Sequence, residues 1–347
     1  MVERKRPSAV KTETSNLPIG ELLKAHKSDI EDLRISKAVG FLEQFVLLGP
    51  MPDLDRASSL CKEYGVSPST LYRLALVINS SSAHQTGGYP LIYCASALGH
   101  CGATIHIIIN ALSGGKLQSP RIASARRHLA DLVKAKYRPA MVLQGKVLES
   151  QGQLSKAIDL YFEAQKITVD PSASVDENVG QLGKYLSPGL ALADALAKRS
   201  NSGDKGIKAA LEKAALEEDE PMAYYLLSNL LQDRRSDTYR DYNLKAAQTG
   251  ISMAANNLGC YYMSVSSAHS DNTLLARDWF EVAAQAGIGK GQLMLAVILH
   301  GEGLITSGRA WLEKAEGDPT VTSIARDLKK MWDHDHSSIR KRVSGLL

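Results

Sequence analysis

The stretch from Asp53 to Leu74 comes nearest to a recognisable chemistry. Ala57-x2-Leu60-x4-Gly65-Val66-Ser67-x2-Thr70-Leu71-Tyr72-Arg73-Leu74 has the layout of a helix-turn-helix DNA reader. Gly65 would make the turn, Ser67 would cap the second helix, and Thr70 with Arg73 would face a groove. Charge argues against this use: Arg56, Lys62 and Arg73 stand against Asp53, Asp55 and Glu63, so the module offers little attraction to phosphates. Gly-x-Ser is also a general way to stop one helix and start the next, and the stretch reads as an end-capping hairpin. Ser113-Gly114-Gly115-Lys116-Leu117 lacks the first glycine and the Ser/Thr of a phosphate-binding loop, and no strand is expected before it. Asp333-His334-Asp335-His336 has metal-ligating residue types, but neighbours two apart point to different helix faces, so a solvated tail is expected. His100 and His106, six residues apart in apolar surroundings, make no ligand pair at helical spacing. Cys61, Cys94, Cys101 and Cys260 form no CxxC pair, which fits free thiols in a reducing compartment. No serine, cysteine or carboxylate constellation supports covalent or acid–base catalysis, and neither an enzyme activity nor a cofactor is expected.

Composition narrows the class further. The 347 residues are 44% hydrophobic, 22% charged and only 6% aromatic. That balance supplies a sizeable core, and with plentiful alanine it suits close-packed helices better than a sandwich or barrel. Forty-one basic and 37 acidic residues leave a formal net charge of +4, too balanced for a nucleic-acid footprint. Apolar runs such as Ile105 to Ile109 fall far short of the ~20 residues that span a bilayer, so no transmembrane helix is expected. Met1 to Lys11 is basic but lacks an apolar core, and Glu3 and Glu13 weaken a mitochondrial presequence. With Arg4-Lys5-Arg6-Pro7 as a weak nuclear address, the chain reads as intracellular and cytoplasmic, with mitochondrial and nuclear placement as alternatives.

The elements that must carry any site are written as a repetition. Gly250-x3-Ala254-x3-Leu258-Gly259-x2-Tyr262 and Ala276-x2-Trp279-Phe280-x2-Ala283-Ala284-x2-Gly287 are followed by Gly291-x3-Leu295-Ala296-x2-Leu299 and Trp311-Leu312-x2-Ala315. Self-similarity at this interval signifies stacked helical hairpins. Ala215, Ala247, Ala284 and Glu316 mark the register at separations of 32, 37 and 32 residues, the extra five falling between Ser264 and Thr273. Small residues there let helices approach, and Gly250 and Gly287 are expected to supply the positive φ that ends one helix before the next repeat. Earlier units are Gly99-x3-Ala103-x3-Ile107-x3-Ala111-x2-Gly114, the hairpin from Ala140 to Ala164, and the pair Lys184 to Arg199 and Ile207 to Leu216, with 171–183 and 199–206 as loops. The organisation is then a disordered basic tail at 1–20, an N-terminal helical cap at 21–85, a repeat array at 86–317, and a C-terminal helix and basic tail at 318–347.

In the order of its residues the 254–287 segment resembles the Sel-one-like repeat (SLR) family, relatives of tetratricopeptide repeats (TPR). Ala254, Leu258, Gly259, Tyr262, Ala276, Trp279, Phe280, Ala283, Ala284 and Gly287 carry the resemblance; Gly145, Leu148, Gly152, Ala157, Tyr161 and Ala164 are similar to a tetratricopeptide unit. Ser228 and Ala296 occupy the small-residue position of Gly259, and Ile108 departs from it. What the resemblance implies is an all-α, right-handed α-solenoid of antiparallel helix hairpins, acting without catalysis as a scaffold, adaptor or assembly factor. A partner peptide or helix would lie in its concave groove. In that geometry the first helix of each hairpin lines the groove, which selects Lys146 and Glu149, then Tyr225, Asn229 and Gln232, then Asn256, then Lys290 and His300. The same places in the 99–114 unit hold Ile105, Ile109 and Leu112, to be covered by the N-terminal helices or left as an apolar binding patch. Assembly of a mitochondrial respiratory complex is the runner-up function by family analogy, and DNA reading through 53–74 the third.

Overall fold

The computed structural model describes residues 23, 33–49, 52–80, 87–167, 187–199, 205–265, 271–333 and 336–346. The expected basic tail at 1–20, the 171–183 loop, and parts of the 199–206 and 264–273 loops lie outside them. Among the described residues the regular elements are helices, with no strand. The chain divides into two compact units, Met1–Ala191 and Leu192–Leu347, so the division falls inside the expected array.

In the first unit the helices are α1 (Ile35–Leu47), α2 (Leu54–Tyr64), α3 (Pro68–Ser80), α4 (Tyr89–Ala97), α5 (Cys101–Ser113), α6 (Ala123–Lys134), α7 (Arg138–Ser150) and α8 (Leu154–Lys166). From α3 to α8 each helix packs on its successor, and α4 on α6 and α5 on α7 add the second-neighbour contacts of stacked hairpins. Their limits follow from local chemistry. Asp53 accepts hydrogen bonds from the Asp55 and Arg56 amides at 3.1 and 3.2 Å, satisfying free N–H groups at the start of α2. Gly65, at φ +65°, ends that helix, and Ser67 Oγ receives the Thr70 amide at 3.0 Å to open α3. Proline in the first turn of α4 and α7 costs nothing, because those N–H groups have no helical partner.

Helix α9 (Pro188–Arg199) spans the boundary. The second unit continues with α10 (Lys205–Leu216), α11 (Pro221–Leu230), α12 (Asp237–Gln248), α13 (Ser252–Val265), α14 (Asn272–Gln285), α15 (Gly289–Gly301), α16 (Ile305–Glu316), α17 (Thr322–Lys330) and α18 (His336–Val343). Again each packs on the next, while α13 also meets α15. The alanine register is the reason they can. Ala214, Ala215, Ala246, Ala247, Ala283, Ala284 and Ala315 are all buried, on the second helices of successive hairpins, where a small side chain lets helices approach. Gly250 and Gly287 have φ of +92° and +85° with open space around them, so conformation and not crowding selects glycine. Leu258 and Phe280 are fully buried; Tyr262 and Trp279, read as filling between hairpins, are only half-buried.

At the C-terminal end a helix and basic tail are expected, but the chain forms two short helices. Leu328, Ile339 and Val343 are buried and Trp332 is 1% exposed, so α17 and α18 complete the core of the last hairpin. Helix α18 lies on α15. This explains why Gly291 to His300 is buried along its whole length and why Leu293-Met294-Leu295-Ala296-Val297-Ile298-Leu299 is continuously apolar: a helix surrounded on every side has no polar stripe.

Candidate functional site

Two hairpins are closed by a glycine facing an aromatic ring. A Cβ added at Gly259 would sit 2.6 Å from the Phe280 ring, and one at Gly145 would sit 2.2 Å from Tyr161. In the hairpin of α11 and α12 the pair is replaced by polar chemistry. Ser228 Oγ donates to Asn243 Oδ1 at 3.2 Å, Asn257 Nδ2 donates to the same oxygen at 3.0 Å, and Asn243 Nδ2 donates to the Tyr239 carbonyl at 2.8 Å. Ser228 and Asn243 are both fully buried, so this network satisfies the groups that the missing aromatic leaves behind. Asn257 Nδ2 also lies 3.5 Å from Asn229 Oδ1, which carries the network out to the surface.

Those joints aim the first-helix side chains, and the groove residues expected from sequence divide accordingly. Asn229 and Gln232 are exposed, and Lys146, Tyr225 and Lys290 are half-buried. Glu149 is half-buried and accepts the Tyr161 hydroxyl at 2.5 Å, so it serves the joint of its own hairpin. Two assignments are corrected. Asn256 is 4% exposed and belongs to the packing around α13, where it offers a partner no surface. His300 is 8% exposed because α17 and α18 cover it: its Nε2 donates to the Trp332 carbonyl at 2.9 Å, and its ring stacks on His336 with centroids 5.8 Å apart. That stacking also takes His336 out of the solvated tail expected for it. Ile105 is fully buried, while Ile109 and Leu112 are half-buried.

Around Tyr225 and Lys290 the second unit gathers groups that sequence spacing did not single out. Lys290 on α15 and Arg234, from the turn before α12, both lie close enough to act electrostatically on the Cys260 thiol of α13. Burial nevertheless outweighs both cations and holds the Cys260 thiol above its ordinary range, so it stays protonated and is no nucleophile. Desolvation pushes the Tyr239 hydroxyl up to about 12, with Arg234 acting in the opposite sense. Asp233, beside Arg234 in the chain, is engaged in its turn, accepting the Arg235 amide at 2.9 Å. What results is a face carrying two cations, Tyr225 and the exposed amides Asn229 and Gln232. Asn257 was the missed member, and its spacing two residues before Gly259 carries no signal without the partner helices.

Elsewhere the chemistry is spent on structure. Thr70, expected to face a DNA groove, is 5% exposed and shares a 2.8 Å hydrogen bond with Ser67, so it is unavailable to a base. Thr104 Oγ1 lies 2.7 Å from His128 Nδ1 and 2.7 Å from Ser96 Oγ, a spacing suited to a nucleophile and its base. Thr104 is fully buried, however, and no substrate carbonyl can reach it. His100 accepts the Ala103 amide at 3.0 Å as the cap of α5, and His106 Nδ1 lies 3.1 Å from the Tyr72 hydroxyl, burial lowering its pKa. Desolvation first, and the neighbouring Cys61 second, push the Cys94 thiol up to about 12. Among the described residues no group of three His, Cys, Asp or Glu is placed to hold a metal ion, and no helix is long and apolar enough to cross a membrane.

No protein family and no curated protein matches the chain. Among solved structures it is similar to a Sel1 repeat protein from Oxalobacter formigenes, with 18% identity over 82% of this chain and 92% of that one and a TM-score of 0.36. It is also similar to a protective antigen present in uropathogenic Escherichia coli strains that displays an SLR fold, with 15% identity over 86% of this chain and 79% of that one and a TM-score of 0.35. Likenesses at these scores carry no argument of their own, and the all-α hairpin architecture rests on the helices described above.

Proposed function

We propose that the first-helix face of the second unit, presented by α11, α13 and α15, binds an acidic polypeptide segment, and that the chain serves as a non-catalytic interaction scaffold. The observation that carries this reading is the convergence of Lys290 and Arg234 on Cys260 beside the half-buried Tyr225, with Asn229 and Gln232 exposed next to them. Lys290 is half-buried, and a partly desolvated cation attracts a carboxylate more strongly than a solvated one; exposed amides can pair with a partner's main chain. Tyrosine adds contact area at little entropic cost. In the first unit, Lys146 is the corresponding candidate.

Changing Tyr225→Ala, Arg234→Glu and Lys290→Glu together, and comparing captured partners with those of the unaltered chain, tests this reading. Arg309→Glu, on the exposed surface of α16, is the control for charge alone. Selective loss of acidic partners from the triple variant is expected, with Arg309→Glu unchanged. An identical partner set for all three chains would remove the face from consideration.

A further inference from the structure

A second concavity lies in the same unit, one turn further along α13 and α15 than Cys260 and Lys290. It encloses about 240 Å³ between α13, the start of α14, α15 and α18, and neither Tyr225, Arg234 nor Lys290 lines it. Its apolar wall is Met263, Met294, Val297, Ile298 and Val343. Pockets for larger ligands run to roughly 300–1,000 Å³, so this one fits a short aliphatic chain or a single apolar side chain. Two methionines make the wall adaptable, since the unbranched thioether repacks around different shapes.

Polarity at the mouth is one-sided. Glu302 is the one carboxylate among the lining residues, and Arg277 already pairs with it at 3.6 Å. Arg340, on the exposed side of α18, makes no hydrogen bond or ion pair with another described residue. A guanidinium at the rim of an apolar pocket is suited to hold a carboxylate whose hydrocarbon part is buried below it. The arrangement is fixed by packing: Ile339 and Val343 anchor α18 in the core, and Arg342 pairs with Asp327 of α17, so Arg340 is held over the opening.

We propose that this pocket binds an anionic amphiphile, with an aliphatic group against Met263 and Met294 and its carboxylate on Arg340. The same chemistry is presented by a free medium-chain acid and by a polypeptide ending in an aliphatic residue. Methyl-labelled methionine NMR of the full chain reads occupancy directly, with octanoate, octanol and a short peptide ending in leucine as probes. Saturable shifts of the Met263 and Met294 methyl signals are expected with octanoate or the peptide, at least tenfold weaker with octanol, and at least tenfold weaker for the acids in Arg340→Gln. Tighter binding of octanoate assigns a free acid, tighter binding of the peptide assigns a chain terminus, and either supports the site. Because Arg340 is exposed, the variant keeps its fold, which its unchanged methionine spectrum without ligand would register. Absence of a saturable shift with both acids, equal binding of octanol, or an unchanged affinity in Arg340→Gln would each overturn the proposal.

Discussion

One methyl group at Gly259 is enough to test how tightly the hairpins close. The added Cβ would meet the Phe280 ring at 2.6 Å, and the ring, itself fully buried, has nowhere to retreat. Gly259→Ala is therefore expected to cost about 1–3 kcal/mol by overpacking, measured by urea unfolding. Gly250→Ala meets no atom and should lose only about 1 kcal/mol, from the strain of φ +92°. Asn243 offers the complementary case. Truncation to alanine removes the shared acceptor of Ser228 and Asn257 and leaves a cavity, for an expected loss of about 1–3 kcal/mol, although Ser228 keeps its 2.8 Å bond to the Tyr225 carbonyl. Asn243→Phe should be tolerated better with Ser228→Gly than alone, because the pair then takes the form found at Gly259 and Phe280. Tyr239 makes a prediction in pH. Its folded pKa of about 12 lies above the ordinary value of 10.0, so folding favours the protonated phenol. Stability from this group is whole below pH 10 and falls as pH rises toward 12. The unaltered chain should lose stability over that window relative to Tyr239→Phe, and parallel curves would contradict the burial argument.

At the scale of elements, the last hairpin depends on what covers it. Helices α17 and α18 close over α15 through Trp332, Ile339 and Val343, and Asp318 ties the turn before α17 to the start of α15 by accepting the Gly289 amide at 3.0 Å. Hydrogen bonds from Thr320 first, and from the backbone, hold the Asp318 carboxyl below its usual range, so this tie is present at neutral pH and weakens as pH falls through that lowered pKa. Ile339→Ala should cost about 2–5 kcal/mol as a buried cavity and raise amide exchange first in α15, α17 and α18. Protection lost equally from α10 to α18 would instead mean that the unit opens as one block. Much of this scale was legible in the sequence. Paired alanines and the glycines at 250 and 287 act through local spacing, which repeats. His300 was misread for a physical reason: its register position implies an open face, and only the folding back of α17 and α18 reveals that the face is covered. Asn256 failed similarly, since position along a helix does not report how closely the neighbouring first helix approaches.

For the whole molecule, a formal net charge of only +4 leaves binding to local clusters. In a stack where each helix packs chiefly on its neighbours, function follows from which stretch of first-helix surface remains uncovered. Within the second unit, the proposed face is that of Tyr225, Asn229, Gln232 and Lys290, with Arg234 beside them, and α18 packs on α15 beyond it. The most direct measurement is the affinity of a captured partner's acidic segment for the unaltered chain and for Lys290→Glu, followed by fluorescence anisotropy at increasing salt. The account predicts binding that weakens with salt and falls at least tenfold on charge reversal, about 1.4 kcal/mol or more. Equal affinity for both chains, independent of salt, would contradict it.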